Sequence, residues 1–118
     1  MNAPEDTAGA VDLPVLAQRH GGMTALWPQQ SADLHVNLLS FATGAGVAEH
    51  VNAELDVLLV GIAGSGEVEI DVLTHTLRPG YAILIPKDAR RAIRSTEGPF
   101  SYLSCHRRRA MLWPANAR

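Results

Sequence analysis

The feature that most constrains this chain is the close, regular spacing of its turn signals. Thr43-Gly44-Ala45-Gly46, Gly64-Ser65-Gly66, Arg78-Pro79-Gly80, Pro86-Lys87-Asp88 and Glu97-Gly98-Pro99 punctuate the sequence from residue 43 onward. Around and between them lie short β-like runs: Leu34 to Ala42, Leu55 to Ala63, Glu67 to Leu73, Tyr81 to Ile85, Arg91 to Arg94 and Phe100 to His106. A globular helix needs about 10–12 residues of sustained period, whereas a strand needs about 4–8. Runs of this length between glycine and proline breakers predict an all-β sandwich or barrel.

The residue pattern within the runs agrees. Glu67-Val68-Glu69-Ile70-Asp71-Val72 alternates charge and aliphatic side chain, as a strand with one wet and one packed face requires. Leu55 to Ala63 is almost continuously apolar and reads as a strand covered on both faces. Asp56 is its one polar side chain, and a lone carboxylate there sits either at an exposed mouth or buried with a partner. Gly64-Ser65-Gly66 reads as a hairpin turn between two strands; it lacks the lysine and following helix of a phosphate-binding loop. Val11 to Gln18 fits one helical turn or an edge strand equally well. The expected organisation is an N-terminal arm or edge segment over residues 1–30 and a barrel over residues 31–118.

The stretch GVAEHVNAELDVLLVGIAGSG, Gly46 to Gly66, resembles the first motif of the cupins, written G-x5-H-x-H-x3,4-E-x6-G. His50 fits its first histidine and Asn52 stands in place of the second. Asp56 occupies the glutamate slot if a bulge absorbs one extra residue before Gly64; otherwise Val57 is the equivalent and the carboxylate is gone. LRPGYAILIPKDARRAIR, Leu77 to Arg94, resembles the second motif, G-x5-P-x-G-x2-H-x3-N. Gly80 and Pro86 match in spacing, Asp88 replaces the glycine and Arg91 replaces the last histidine. The resemblance covers roughly half of the chain. It implies a single cupin β-barrel of the double-stranded β-helix or jelly-roll type.

The family's metal set of histidines and a carboxylate would suit iron, manganese, zinc or nickel. In this sequence only His50 of that set is unchanged, while Asn52 and Asp56 offer oxygens and Arg91 offers a permanent positive charge with no lone pair. No tightly bound metal or other cofactor is therefore expected; if one is held, its ligands are His50, Asn52 and Asp56. The expected pocket residues are His50, Asn52, Asp56, Arg91 and His106; two arrangements of the last motif position stand open, an Asp56–Arg91 ion pair across the barrel mouth as a substitute for the metal, or Arg91 facing solvent. Cupins host many chemistries, so two readings stand side by side. One is a module binding a small organic, anionic ligand. The other is an enzyme, either an isomerase or lyase in which His50 or Asp56 is the base and Arg91 steadies an oxyanion, or a metal-dependent dioxygenase.

Charge bears on partners. Residues 1 to 89 carry 3 basic and 11 acidic side chains, and residues 90 to 118 carry 7 basic and 1 acidic. Opposite charges of this kind can pair within the fold, across a homodimer, which is the expected assembly, or with an anionic partner. Arg107-Arg108-Arg109 has no interleaved aromatic side chains to stack bases, so nucleic acid is not an expected partner. No apolar run approaches the roughly 18 residues that span a bilayer, and Met1 to Ala10 lacks the blocks of a signal peptide. A cytoplasmic setting, no membrane partner and a buried thiol at Cys105 are the corresponding expectations.

Overall fold

The computed structural model describes residues 9–19 and 24–109. One short helix, α1 (Leu13–Ala17), precedes seven strands: β1 (Gln29–Gln30), β2 (Leu34–Phe41), β3 (Gly46–Val51), β4 (Val57–Ile70), β5 (Leu73–Leu77), β6 (Ala82–Ile85) and β7 (Arg90–Arg107). The Asp12 carboxylate caps α1 by accepting the Val15 N–H at 3.2 Å, and Pro14 supplies the pre-set φ of a first helical turn. Thus Val11 to Gln18 resolves as helix.

β4 and β7 form the spine. They pair antiparallel from Val57 opposite His106 to Ile70 opposite Arg91. Each is shared by two wings. The first half of β4 also pairs with β6, while the second half of β7 pairs with β2, which carries β1. The second half of β4 pairs with β5, and the first half of β7 with β3. Register shifts between Gly61 and Gly66 interrupt the ladder between the wings. A bulge bends a strand and sharpens its twist, which lets one long pair serve two facing sheets. Leu59, Val68, Leu77, Ile85, Ile93, Phe100 and Tyr102 fill the space between them.

This arrangement corrects the turn reading at two places. Gly64-Ser65-Gly66 lies inside β4, and Glu97-Gly98-Pro99 lies inside β7. Gly64 takes a φ of +66°, and Gly66 packs so closely on the Phe100 ring that a Cβ would collide with it. These glycines therefore bend and seat strands; the β4–β5 hairpin turns instead at Asp71 and Val72, with Asp71 at a φ of 54°. Leu58 is 40% exposed beside Leu59 at 2%, so the first half of β4 is covered on one face rather than both. Cys105 is half-buried, not the enclosed thiol expected.

The N-terminal segment is stitched to the sheet. Leu26 N–H donates to Leu38 O at 2.8 Å, Ala25 bridges Leu39, and β1 extends the same edge. Arg90–Glu49, Arg94–Glu67 and Arg109–Glu54 tie the basic last quarter to the acidic first part within the fold. Among the described residues no helix is long and apolar enough to cross a membrane.

Candidate functional site

Two turns carry the polar residues to one end of the barrel. After β3, Asn52 Oδ1 accepts the N–H groups of Glu54 (2.9 Å) and Leu55 (3.1 Å), and the Asn52 carbonyl accepts Asp88 N–H at 2.7 Å. This side-chain turn sends the chain into β4 and pins it to the β6–β7 loop. His50 and Arg91 are cross-strand partners on β3 and β7. The His50 Nδ1 lies 2.9 Å from the Ala48 carbonyl, which accepts but cannot donate. Nδ1 therefore carries the proton, and in the neutral ring Nε2 keeps its lone pair.

Arg91 is 3% exposed. Its Nε donates to Ala89 O at 3.0 Å and one terminal nitrogen donates to Pro86 O at 2.8 Å. Among the described residues no carboxylate stands within ion-pair distance of it. Burial pulls its pKa below the usual arginine value, and the attraction of Asp71 opposes this. Among the described residues these two bonds leave three of the five guanidinium N–H groups without a partner, enough for the two-pronged fork that grips a carboxylate.

These groups border a cavity of about 170 Å³. His50, Asn52, Arg91 and Ser104 give it a polar portion, while Leu39, Val57, Leu59, Ile85, Ile93 and the Tyr102 ring supply apolar wall. A second space of about 280 Å³ adjoins it through the shared His50 and Asn52 and is edged by the Glu54–Arg109 ion pair. A larger groove of about 330 Å³ runs past Gly46, Ala92 and the Arg94–Glu67 pair, away from this cluster. Its one cation, Arg94, is already paired with Glu67 and its other charge, Glu69, is an exposed carboxylate, so the cation without a carboxylate partner among the described residues borders the smaller cavity.

Two expected pocket residues lie elsewhere. Asp56 is exposed, and its carboxylate accepts Lys87 N–H at 2.8 Å. Val57 opens β4 and takes the wall position, so the expected Asp56–Arg91 ion pair does not form. The carboxylate finds a donor at the surface, where it keeps its hydration. His106 stacks on His35, with ring centroids 4.9 Å apart and planes 16° apart, and its Nδ1 lies 2.8 Å from Arg107 O. It does not border the cavity. Tyr102 and Ser104 do, and were missed. Residues 102, 104 and 106 share one strand face, so the reasoning that suggested His106 could have reached them two and four residues earlier. Burial pushes the Tyr102 phenol pKa up, which keeps its proton in place.

No protein-family model matches the chain. Over 88 residues it is 32% identical to protein SchB of Streptomyces halstedii, covering 72% of this chain and 64% of that protein. The match thus spans less than two thirds of its relative's length. Among solved structures, a cupin superfamily protein of Desulfitobacterium hafniense superposes with a TM-score of 0.59 at 27% identity, covering 69% of this chain and 71% of the other. The chain is a small cupin-fold protein. KdgF from a Halomonas species shares the fold at 22% identity and a TM-score of 0.65, covering 70% of this chain and 76% of its own.

In this cupin the donor set does not fit a transition metal. Asn52 Oδ1 is occupied by two backbone N–H groups, Asp56 faces away, and Arg91 brings a positive charge to the place of a histidine. Among the described residues no three His, Cys, Asp or Glu side chains gather as a metal set. What the cavity offers is a cation, the Asn52 amide donors, hydroxyls and one imidazole lone pair.

Proposed function

We propose that this cupin binds a small organic anion, held by Arg91 in place of a metal. The observation that carries this reading is a buried guanidinium on the cavity wall with two carbonyl partners and no carboxylate in ion-pair range among the described residues. Desolvating a charge costs several kcal/mol, and a ligand carboxylate offsets that cost through a bidentate, charge-assisted contact. Asn52 Nδ2 and the Ser104 hydroxyl add donors, and His50 Nε2 accepts from a protonated or hydroxyl group of the ligand.

The pairing of His50 with Arg91 also favours a second reading. A neutral imidazole beside a fixed cation is suited to removing a proton next to a carboxylate, with Arg91 steadying the charge that develops. This would make the cupin a metal-free isomerase or lyase. Homodimer formation belongs to the same proposal: Leu58 and Leu84 are cross-strand neighbours, 40% and 61% exposed, on a face suited to a second copy. A cytoplasmic setting is proposed with it, consistent with a single cysteine.

Titration calorimetry of butyrate against butyramide separates anion binding from simple filling of the cavity. Butyrate should bind and the amide should bind at least about tenfold more weakly, the ratio of one charge-assisted contact. Equal affinities for the two would overturn the reading. Deuterium exchange at the carbon next to the bound carboxylate, lost in His50→Gln, would establish the catalytic version.

A further inference from the structure

The cavity is two-ended, and its ends differ in what they can hydrogen-bond. Arg91 is fixed to Pro86, which follows Ile85, and Ile85, Val57 and His106 share one cross-strand row. Leu59 and Ser104 form the next inward row, and Gly61, Tyr102 and Leu39 the one beyond. Four residues along a strand cover about 13 Å. The Leu39–Tyr102 row is therefore the far floor, well beyond the guanidinium, and the wall between is Val57, Leu59, Ile85 and Ile93.

The polar inventory is unbalanced. Arg91 and Asn52 present donors, because Asn52 Oδ1 is already used twice. Acceptors are few: His50 Nε2 and the Ser104 and Tyr102 hydroxyls. A ligand rich in hydroxyl groups would bury several O–H donors against aliphatic wall, and each unsatisfied one weakens binding by about tenfold. An aliphatic tail meets no such penalty. The apolar-walled space is small as well: about 170 Å³ is below the roughly 300–1,000 Å³ of drug-sized pockets, and the adjoining space of about 280 Å³, edged by Glu54 and Arg109, gives a tail no aliphatic wall of comparable extent.

Resting on the anion-binding reading, we propose that the ligand class is a short monocarboxylic acid with a compact apolar tail. The carboxylate meets Arg91 and Asn52, and the tail lies between Leu59, Ile85 and Ile93 with its end on the Leu39–Tyr102 floor. Tail length is set by Leu39, and hydroxylated acids of equal charge are rejected by the wall. Sugar acids, which combine a carboxylate with many hydroxyls, fall outside the class.

The test is calorimetry of the full chain with 3-methylbutanoate, benzoate, 4-phenylbutanoate, gluconate and 3-methylbutanamide, repeated on Leu39→Ala. Support is 3-methylbutanoate or benzoate binding at least about tenfold tighter than gluconate, with Leu39→Ala shifting the preference toward 4-phenylbutanoate. Gluconate binding as tightly as 3-methylbutanoate overturns this ligand class and leaves the anion reading intact. The amide binding as tightly as its acid overturns the anion reading itself, and absence of binding by every acid overturns both. Because Leu39 is half-buried and its truncation also removes packing, the wild-type series decides the class without it, and Leu39→Val provides a milder check of the floor.

Discussion

Replacing Arg91 with methionine separates a ligand anchor from a structural strut. The substitution removes two charge-assisted bonds, to Ala89 O and Pro86 O, each with a net worth of about 1.5–3 kcal/mol. It also removes a guanidinium whose desolvation costs several kcal/mol, and methionine refills an elongated site flexibly. Pro86 O keeps the Ala89 N–H at 3.3 Å, so Ala89 O is the acceptor that loses most. The opposing effects nearly cancel, and the unliganded variant should unfold in urea within about 1.5 kcal/mol of wild type. With a carboxylate at a hundred times its Kd the wild type should gain about 2.7 kcal/mol, and Arg91→Met should gain almost nothing. Urea unfolding followed by circular dichroism, with and without butyrate, reads both quantities. A loss above about 3 kcal/mol without ligand would mean that Arg91 is a structural strut through its bonds to Ala89 O and Pro86 O, and an undiminished ligand gain in the variant would refute the anchor.

The remaining expectations are independent of that one. Asp56→Asn and Arg91→Met should be additive within about 0.5 kcal/mol in a double-mutant cycle, because Asp56 bonds Lys87 N–H rather than the guanidinium; coupling above about 1 kcal/mol would reinstate the pair. The double variant Asn52→His, Arg91→His should acquire zinc or nickel affinity over wild type by calorimetry, and no gain would mean that these positions do not converge with His50. Gly61→Ala should lower stability by at least about 3 kcal/mol in denaturant unfolding, since its Cβ would run into the Arg78 carbonyl across the hairpin, and a near-neutral result would dispute that approach. In Tyr81→Phe, where Tyr102 is the remaining tyrosine, absorbance at 295 nm should show no phenolate near the free value of about 10 while the protein is folded. Since the folded phenol is the weaker acid, its contribution to stability is intact below that value and is lost as pH rises above it; ionisation near 10 without unfolding would contradict its burial.

The strands with an aliphatic face were legible because burial on one side leaves a period of two in the sequence, as in Glu67 to Ile70. β3 and β5 were not, for the same reason in reverse. β3 is exposed at most of its positions, and β5 buries Leu77 while half-burying His75, so neither edge strand displays a clean alternation. Glycine misled at residues 64–66, because a bulge and a hairpin demand the same backbone freedom and differ in what pairs afterward. His50, Asn52 and Arg91, which border the cavity, were singled out through spacing, which fixes position along a strand. Asp56 and Val57 differ by one residue, and one residue on a strand is the difference between the two faces. Spacing could name both alternatives; cross-strand packing decides between them.

The central place of β7 bears on how the chain reaches this state. It is the last of the described strands and pairs with β2, β3 and β4, so those three strands have no common partner until its 18 residues are available. A chain growing from its N-terminus must hold Leu38, Leu59 and Val68 without that cover through most of synthesis. Contacts such as Val57 with His106 join distant parts of the sequence, which predicts folding in the millisecond-to-second range of nonlocal β proteins rather than the microseconds of helical bundles. Slow translation or a stall before residue 90 would leave aliphatic strand surface open to intermolecular pairing, a vulnerability that the finished barrel no longer has.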